Sequence, residues 1–129
     1  MSDTLARLAD EYWDVWMESA PTLATIFGDH RFDDQLGPVT HDETEAAVAR
    51  MRDLATRAER LEGLDAASEL TRQILLVNAR NNIGLVESGL FTAPISPFLG
   101  IQAGLASALS RSVATEPAHA EMLLERVRA

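Results

Sequence analysis

Apolar residues recur at helical spacing through almost the whole chain, and no segment alternates with period two. Over residues 3–19, Leu5, Leu8, Tyr12 and Val15 form one stripe. Ala9, Trp13, Trp16 and Ala20 form its neighbour, a surface broad enough to be covered on more than one side. Arg7 and Glu11 stand at i,i+4, the spacing of a helical ion pair. Pro21 suits the first turn of a short helix over 21–27 that buries Leu23, Ile26 and Phe27, and Gly28 suits its left-handed terminus. Asp29 to Pro38 is polar and rich in turn formers, and reads as a loop.

Thr40 and Glu43 match the capping-box pattern that opens a helix over 41–62. Val48, Met51, Leu54, Ala55, Ala58 and Leu61 are its stripe, and Gly63 ends it. Asp65 or Ser68 caps the next helix, 66–88. Leu70, Ile74, Val77 and Leu85 form its main face, and Leu75, Leu76, Ile83 and Val86 widen it. So short a link predicts a long antiparallel hairpin. Gln73, Asn78, Asn81 and Asn82 lay a polar strip along this helix, expected to form a buried amide network. Between Leu90 and Gly100, Pro94 and Pro97 forbid regular helix. That segment nevertheless carries Leu90, Phe91, Ile95, Phe98 and Leu99, and is expected to pack under something. Ile101, Leu105 and Leu109 mark a helix over 101–110, and Thr115 caps a last one over 116–129 with Pro117 in its first turn. The pattern predicts an all-α protein: one helical region, an irregular bundle built around the hairpin, and an incomplete part of a larger helical fold.

Composition narrows the partners. The 129 residues carry 20 acids, 11 bases and no Cys, for a net charge of −9. Disulfides, thiolate metal sites and a cysteine nucleophile are excluded. An acidic balance without a basic block argues against nucleic acid and anionic membranes. All 11 bases are Arg and 20 residues are Ala, which suggests a GC-rich genome rather than an arginine-specific role. Residues 1–69 carry 16 acids and 6 Arg, whereas residues 70–129 carry 4 and 5. The 23 residues from Ser88 to Ser110 are uncharged, but their prolines, glycines and polar residues leave no run long enough for a membrane span. The N-terminus lacks the basic and apolar regions of a signal peptide, so a cytoplasmic protein is expected.

Candidate chemistry is sparse. His30, His41 and His119 have no second His at i+3 or i+4, and H-E-x-x-H is absent, so no metal ligand is expected. His41 belongs to a solvated helix start, and His119 and Glu121 fall on different helix faces. Neither histidine is expected to carry chemistry. There is no G-x-S-x-G elbow and no phosphate-cradling glycine loop. Trp13 and Trp16 are expected in the core. The densest constellation follows Gly28: Asp29, His30, Arg31, Asp33 and Asp34. Arg31 could hold a carboxylate of a substrate or partner, with an Asp orienting His30. Alternatively the loop satisfies its own backbone and Arg31 pairs with Asp33 or Asp34.

Five stretches carry a resemblance. Leu8-Ala9-Asp10-Glu11-Tyr12-Trp13-Asp14 is followed by Pro21-x-x-Ala24-Thr25-x-x-Gly28-Asp29-His30-Arg31-Phe32-Asp33-Asp34. Leu70 to Leu76, the neutral Pro-containing segment and the closing Leu123 to Ala129 then follow in order. Together they resemble the N-terminal region of the bacterial domain of unknown function 885 family. The resemblance implies a mostly helical, zincin-like metallopeptidase of several hundred residues. Its zinc-binding H-E-x-x-H motif would lie far C-terminal to the matching region. For this chain alone the implications are no catalysis, no catalytic or metal-ligating residue and no cofactor, with zinc confined to full-length relatives. The Gly28–Asp34 stretch carries over as a family signature of unassigned role. A missing C-terminal region, or a second chain such as another copy, would cover the apolar surface. Two other classes stand beside this: a stand-alone helical interaction module or homodimer, and a small-ligand carrier with Asp29, His30 and Arg31 at its mouth.

Overall fold

A computed structural model describes residues 3–38, 40–89 and 101–129, the side chains of Ile101 and Gln102 excepted. Six α-helices follow in order: α1 (Asp3–Ser19), α2 (Pro21–Phe27), α3 (His41–Glu59), α4 (Ala66–Glu87), α5 (Ile101–Arg111) and α6 (Pro117–Arg128). A 3₁₀ turn, His30–Phe32, lies between α2 and α3. The protein is an all-α bundle with no strand among the described residues. None of its helices is long and apolar enough to cross a membrane. The expected interior of the Leu90–Gly100 segment lies outside the described residues.

The chain divides into two compact units. One holds residues 1–16 and 40–93, the other residues 17–39 and 94–129. In the first unit, Leu8, Tyr12 and Val15 of α1 pack with Met51, Leu54, Ala55 and Ala58 of α3 and Leu75, Leu76 and Ala79 of α4. A large side chain buried this way contributes roughly 1.5–3 kcal/mol. The hairpin of α3 and α4 is antiparallel: Arg52 pairs with Glu87, and Glu59, later in α3, pairs with Arg80, earlier in α4. The capping box at Thr40 forms as expected. Thr40 Oγ1 accepts from the Glu43 N–H, and the Glu43 carboxylate accepts from the Thr40 N–H. Asp65, rather than Ser68, caps α4 by accepting from the Ser68 N–H at 2.7 Å.

Several expectations need correction. The face of α4 named first, Leu70, Ile74, Val77 and Leu85, is the exposed one, and the flank holding Leu75 and Leu76 is the core. Phe27 is exposed; α2 instead buries Pro21, Ala24 and Thr25. Trp13 is 40% exposed and meets Trp16 edge to face. The amides form no joint network among the described residues: Asn82 Nδ2 donates to the Tyr12 hydroxyl at 3.0 Å, and Gln73 Nε2 donates separately to the Glu69 carboxylate at 2.9 Å. Glu11 is held by Arg57 rather than Arg7, through bonds of 2.8 and 2.9 Å. Helix α3 stops at Glu59 because the Leu61 N–H reaches back only three residues, to Ala58 O, before Gly63 turns left-handed at φ +69°. The cap of α6 is Glu116, not Thr115. Pro117 forces the residue before it to be extended, and Glu116 sits at φ −136°, ψ 150°.

The second unit places the site. Helix α2 ends in a Schellman motif: Gly28 takes φ +84°, its N–H bonds Thr25 O, and the Asp29 N–H bonds Ala24 O. That reversal turns the Asp29–Asp34 stretch back along α2. Gly37, at φ +100°, lets the returning chain pass Pro21, whose Cδ would lie 3.0 Å from any added Cβ. Helix α5 packs on α2 with Gly104 facing Thr22.

Candidate functional site

The site is centred on Asp33, a fully buried carboxylate at the end of the 3₁₀ turn. Oδ1 accepts from the Thr25 hydroxyl at 2.5 Å and faces Arg126 Nη2 at 3.3 Å. Oδ2 accepts from His30 Nδ1 at 2.8 Å and from His119 Nε2 at 2.5 Å. Burial pushes the Asp33 carboxyl up. Hydrogen bonds from Thr25, His119 and His30 and the charge on Arg126 outweigh it and hold the group below its ordinary value. An ionised carboxylate only accepts, so both ring nitrogens facing Oδ2 carry hydrogen. The two imidazoles meet edge to face, with centroids 4.8 Å apart.

Arg126 closes the site from α6. It is fully buried, and Nη1 donates to Thr25 Oγ1 at 2.8 Å. Nη2 donates to Phe32 O at 2.7 Å, with Pro21 O at 3.3 Å. Burial pushes its pKa down, against the charges of Asp33 and Asp34. Its Nε has no partner among the described residues. One guanidinium thereby ties the start of α2, the 3₁₀ turn and the carboxylate to α6. Deleting one member of a buried pair costs about 3–5 kcal/mol, because the other charge stays behind uncompensated.

The five sequence candidates separate. His30 and Asp33 join the centre. Asp29 instead caps the 3₁₀ turn and binds Arg31 through Nε at 2.9 Å and Nη2 at 2.7 Å. The arginine therefore pairs backwards, with Asp29 rather than Asp33 or Asp34, and lies over the Phe32 ring. Asp34 is exposed and reaches the centre only through its charge on Arg126.

Thr25, His119 and Arg126 carried no expectation of chemistry. His119 is not an isolated side chain on α6: it is a partner of Asp33, 86 residues away in sequence. One signal was present. His119 and Arg126 are seven apart and share a helix face with half-buried Met122 and Leu123, so two polar groups interrupt an apolar stripe. Chemically the centre can hold a proton between imidazoles and a carboxylate, or offer His30, Asp33 and His119 to a cation. No family model, curated protein or solved structure matches the chain.

Proposed function

We propose that this chain is the N-terminal helical part of a protein resembling the domain of unknown function 885 family, a non-catalytic wall of a larger metallopeptidase-like fold. One observation carries the reading. Two of the stretches that bear the resemblance, Pro21–Asp34 and Leu123–Ala129, share the Asp33–Arg126 pair and the Thr25 and Phe32 contacts of Arg126. The signature therefore serves to fasten a loop to α6. A zincin needs two His, a third ligand and a carboxylate that activates water. The H-E-x-x-H motif that supplies most of these is not in this sequence. The purified 129-residue protein is expected to show no chelator-sensitive peptide hydrolysis, and such activity would contradict the proposal. Reading the DNA that follows codon 129 tests the larger claim. An H-E-x-x-H-encoding stretch supports it, and unrelated sequence there counts against it.

A stand-alone interaction module or homodimer is the second reading. It is favoured by the exposed row Leu70, Ile74, Val77 and Leu85 on α4, each more than 40% exposed. Light scattering separates the two: a concentration-dependent dimer lost in Ile74→Gln supports this second reading, and a concentration-independent monomer removes it.

A further inference from the structure

We propose that His30, Asp33 and His119 form a binding site for a divalent transition-metal ion, with zinc the cation that suits them best. The site does not depend on the preceding proposal, and it differs from an H-E-x-x-H centre in sequence, spacing and helix arrangement.

Geometry comes first. His30 Nδ1, His119 Nε2 and an Asp33 oxygen all lie within 4.8 Å of one another. Two imidazoles and one carboxylate are a donor set that selects zinc and its neighbours over magnesium or calcium. At zinc bond lengths near 2.0–2.2 Å, tetrahedral donors stand about 3.3 Å apart. The present contacts to Asp33 Oδ2 are 2.8 and 2.5 Å. Admitting the ion therefore takes an opening of roughly 0.5–0.8 Å, judged from those bond lengths. His30 can supply its own share, because it sits on a short 3₁₀ turn with its side chain 52% exposed, and the share at Asp33–His119 has to come from the His119 side chain, which is 14% exposed. The exposure of His30 gives the ion a way in.

The surroundings suit a ligand role for Asp33. Its second oxygen is already fixed by Thr25 and Arg126, the kind of outer hydrogen bonding that orients a ligating carboxylate. Charge favours a cation too. Around the centre stand the carboxylates of Asp29, Asp33 and Asp34 and the guanidiniums of Arg31 and Arg126, which leaves one net negative charge. With neutral rings, each imidazole need only move its hydrogen to the nitrogen facing away from Oδ2 to present a lone pair.

The test is zinc titration by calorimetry on chelator-stripped full-length chain, with cobalt substitution read by visible absorption. One equivalent of zinc is expected to bind and to raise the melting temperature. His30→Gln and His119→Gln are each expected to weaken binding by at least about tenfold and to abolish the cobalt spectrum. His41→Gln, remote in sequence and not a member of the group, is expected to bind as the unaltered chain does. Circular dichroism confirms that each variant is folded; His30→Gln, altering a half-exposed side chain, keeps the test available if the buried positions do not tolerate change. Absence of stoichiometric zinc uptake by the folded chain would overturn the proposal and leave Asp33 a hydrogen-bonding centre only. Uptake undiminished in both histidine variants would overturn it equally.

Discussion

An ionised carboxyl group held out of water persists only where donors replace its lost hydration, and Asp33 draws on four side chains to do so. Thr25 has the tightest position among them. Its hydroxyl donates to Asp33 and accepts from Arg126, so its removal exposes an unmet need on each side. Thr25→Val keeps the shape and deletes both bonds. It is expected to cost about 1–3 kcal/mol in urea unfolding, and a change below about 0.5 kcal/mol would show that the hydroxyl is dispensable. Little of this was visible in sequence. Asp33 and Asp34 are adjacent and chemically identical, yet one is buried and the other exposed. Thr25 reads as an ordinary helical threonine, and Arg126, 93 residues beyond Asp33, reads as a basic residue favourable at a helix end. Pairings inside one turn can be read locally, as Thr40 with Glu43 was. A pairing that closes over most of the chain exists only once the helices pack.

Among the elements, α4 shows the limit of periodicity most clearly. Its apolar residues cover so wide an arc that two stripes compete, and spacing alone does not say which meets α1 and α3. The structure chooses Leu75, Leu76 and Ala79. Leu76→Ala is accordingly expected to cost about 2–5 kcal/mol. Ile74→Gln, on the open face at 54% exposure, is expected to stay within about 0.5 kcal/mol. Reversal of that order in chemical denaturation would return the core to the face first named from sequence. Early in the same helix, the hydrogen bonds from Arg72, then from Gln73, hold the Glu69 carboxyl down at about 2. A lowered carboxyl supports the fold above its ordinary pKa, and that support is lost as pH falls toward 2. NMR titration of Glu69 is expected to give that low value, moving up toward the ordinary one in Arg72→Gln; an unchanged titration would dissociate the two residues. Helix boundaries, by contrast, were largely legible, because Gly28, Thr40, Asp65 and Pro117 act through their own backbone neighbours.

At the scale of the whole molecule, the split of charge along the chain changes meaning. The halves of the sequence differ sharply, but neither half is a physical body. The first compact unit carries 13 acids and 7 Arg, and the second carries 7 acids and 4 Arg, so both are negative. The second unit gathers residues 17–39 with 94–129, and the Asp33–Arg126 pair is a buried ionic link between those distant stretches. The role given to the Gly28–Asp34 signature rests on that link being a real energetic coupling. The most direct measurement is a double-mutant cycle in urea with Asp33→Asn, Arg126→Met and the two combined. A coupling of about 2–3 kcal/mol is expected, with each single variant less stable than the unaltered chain and the double variant recovering part of the loss. Single effects that simply add, within about 0.5 kcal/mol, would contradict the pairing and with it the role assigned to the signature.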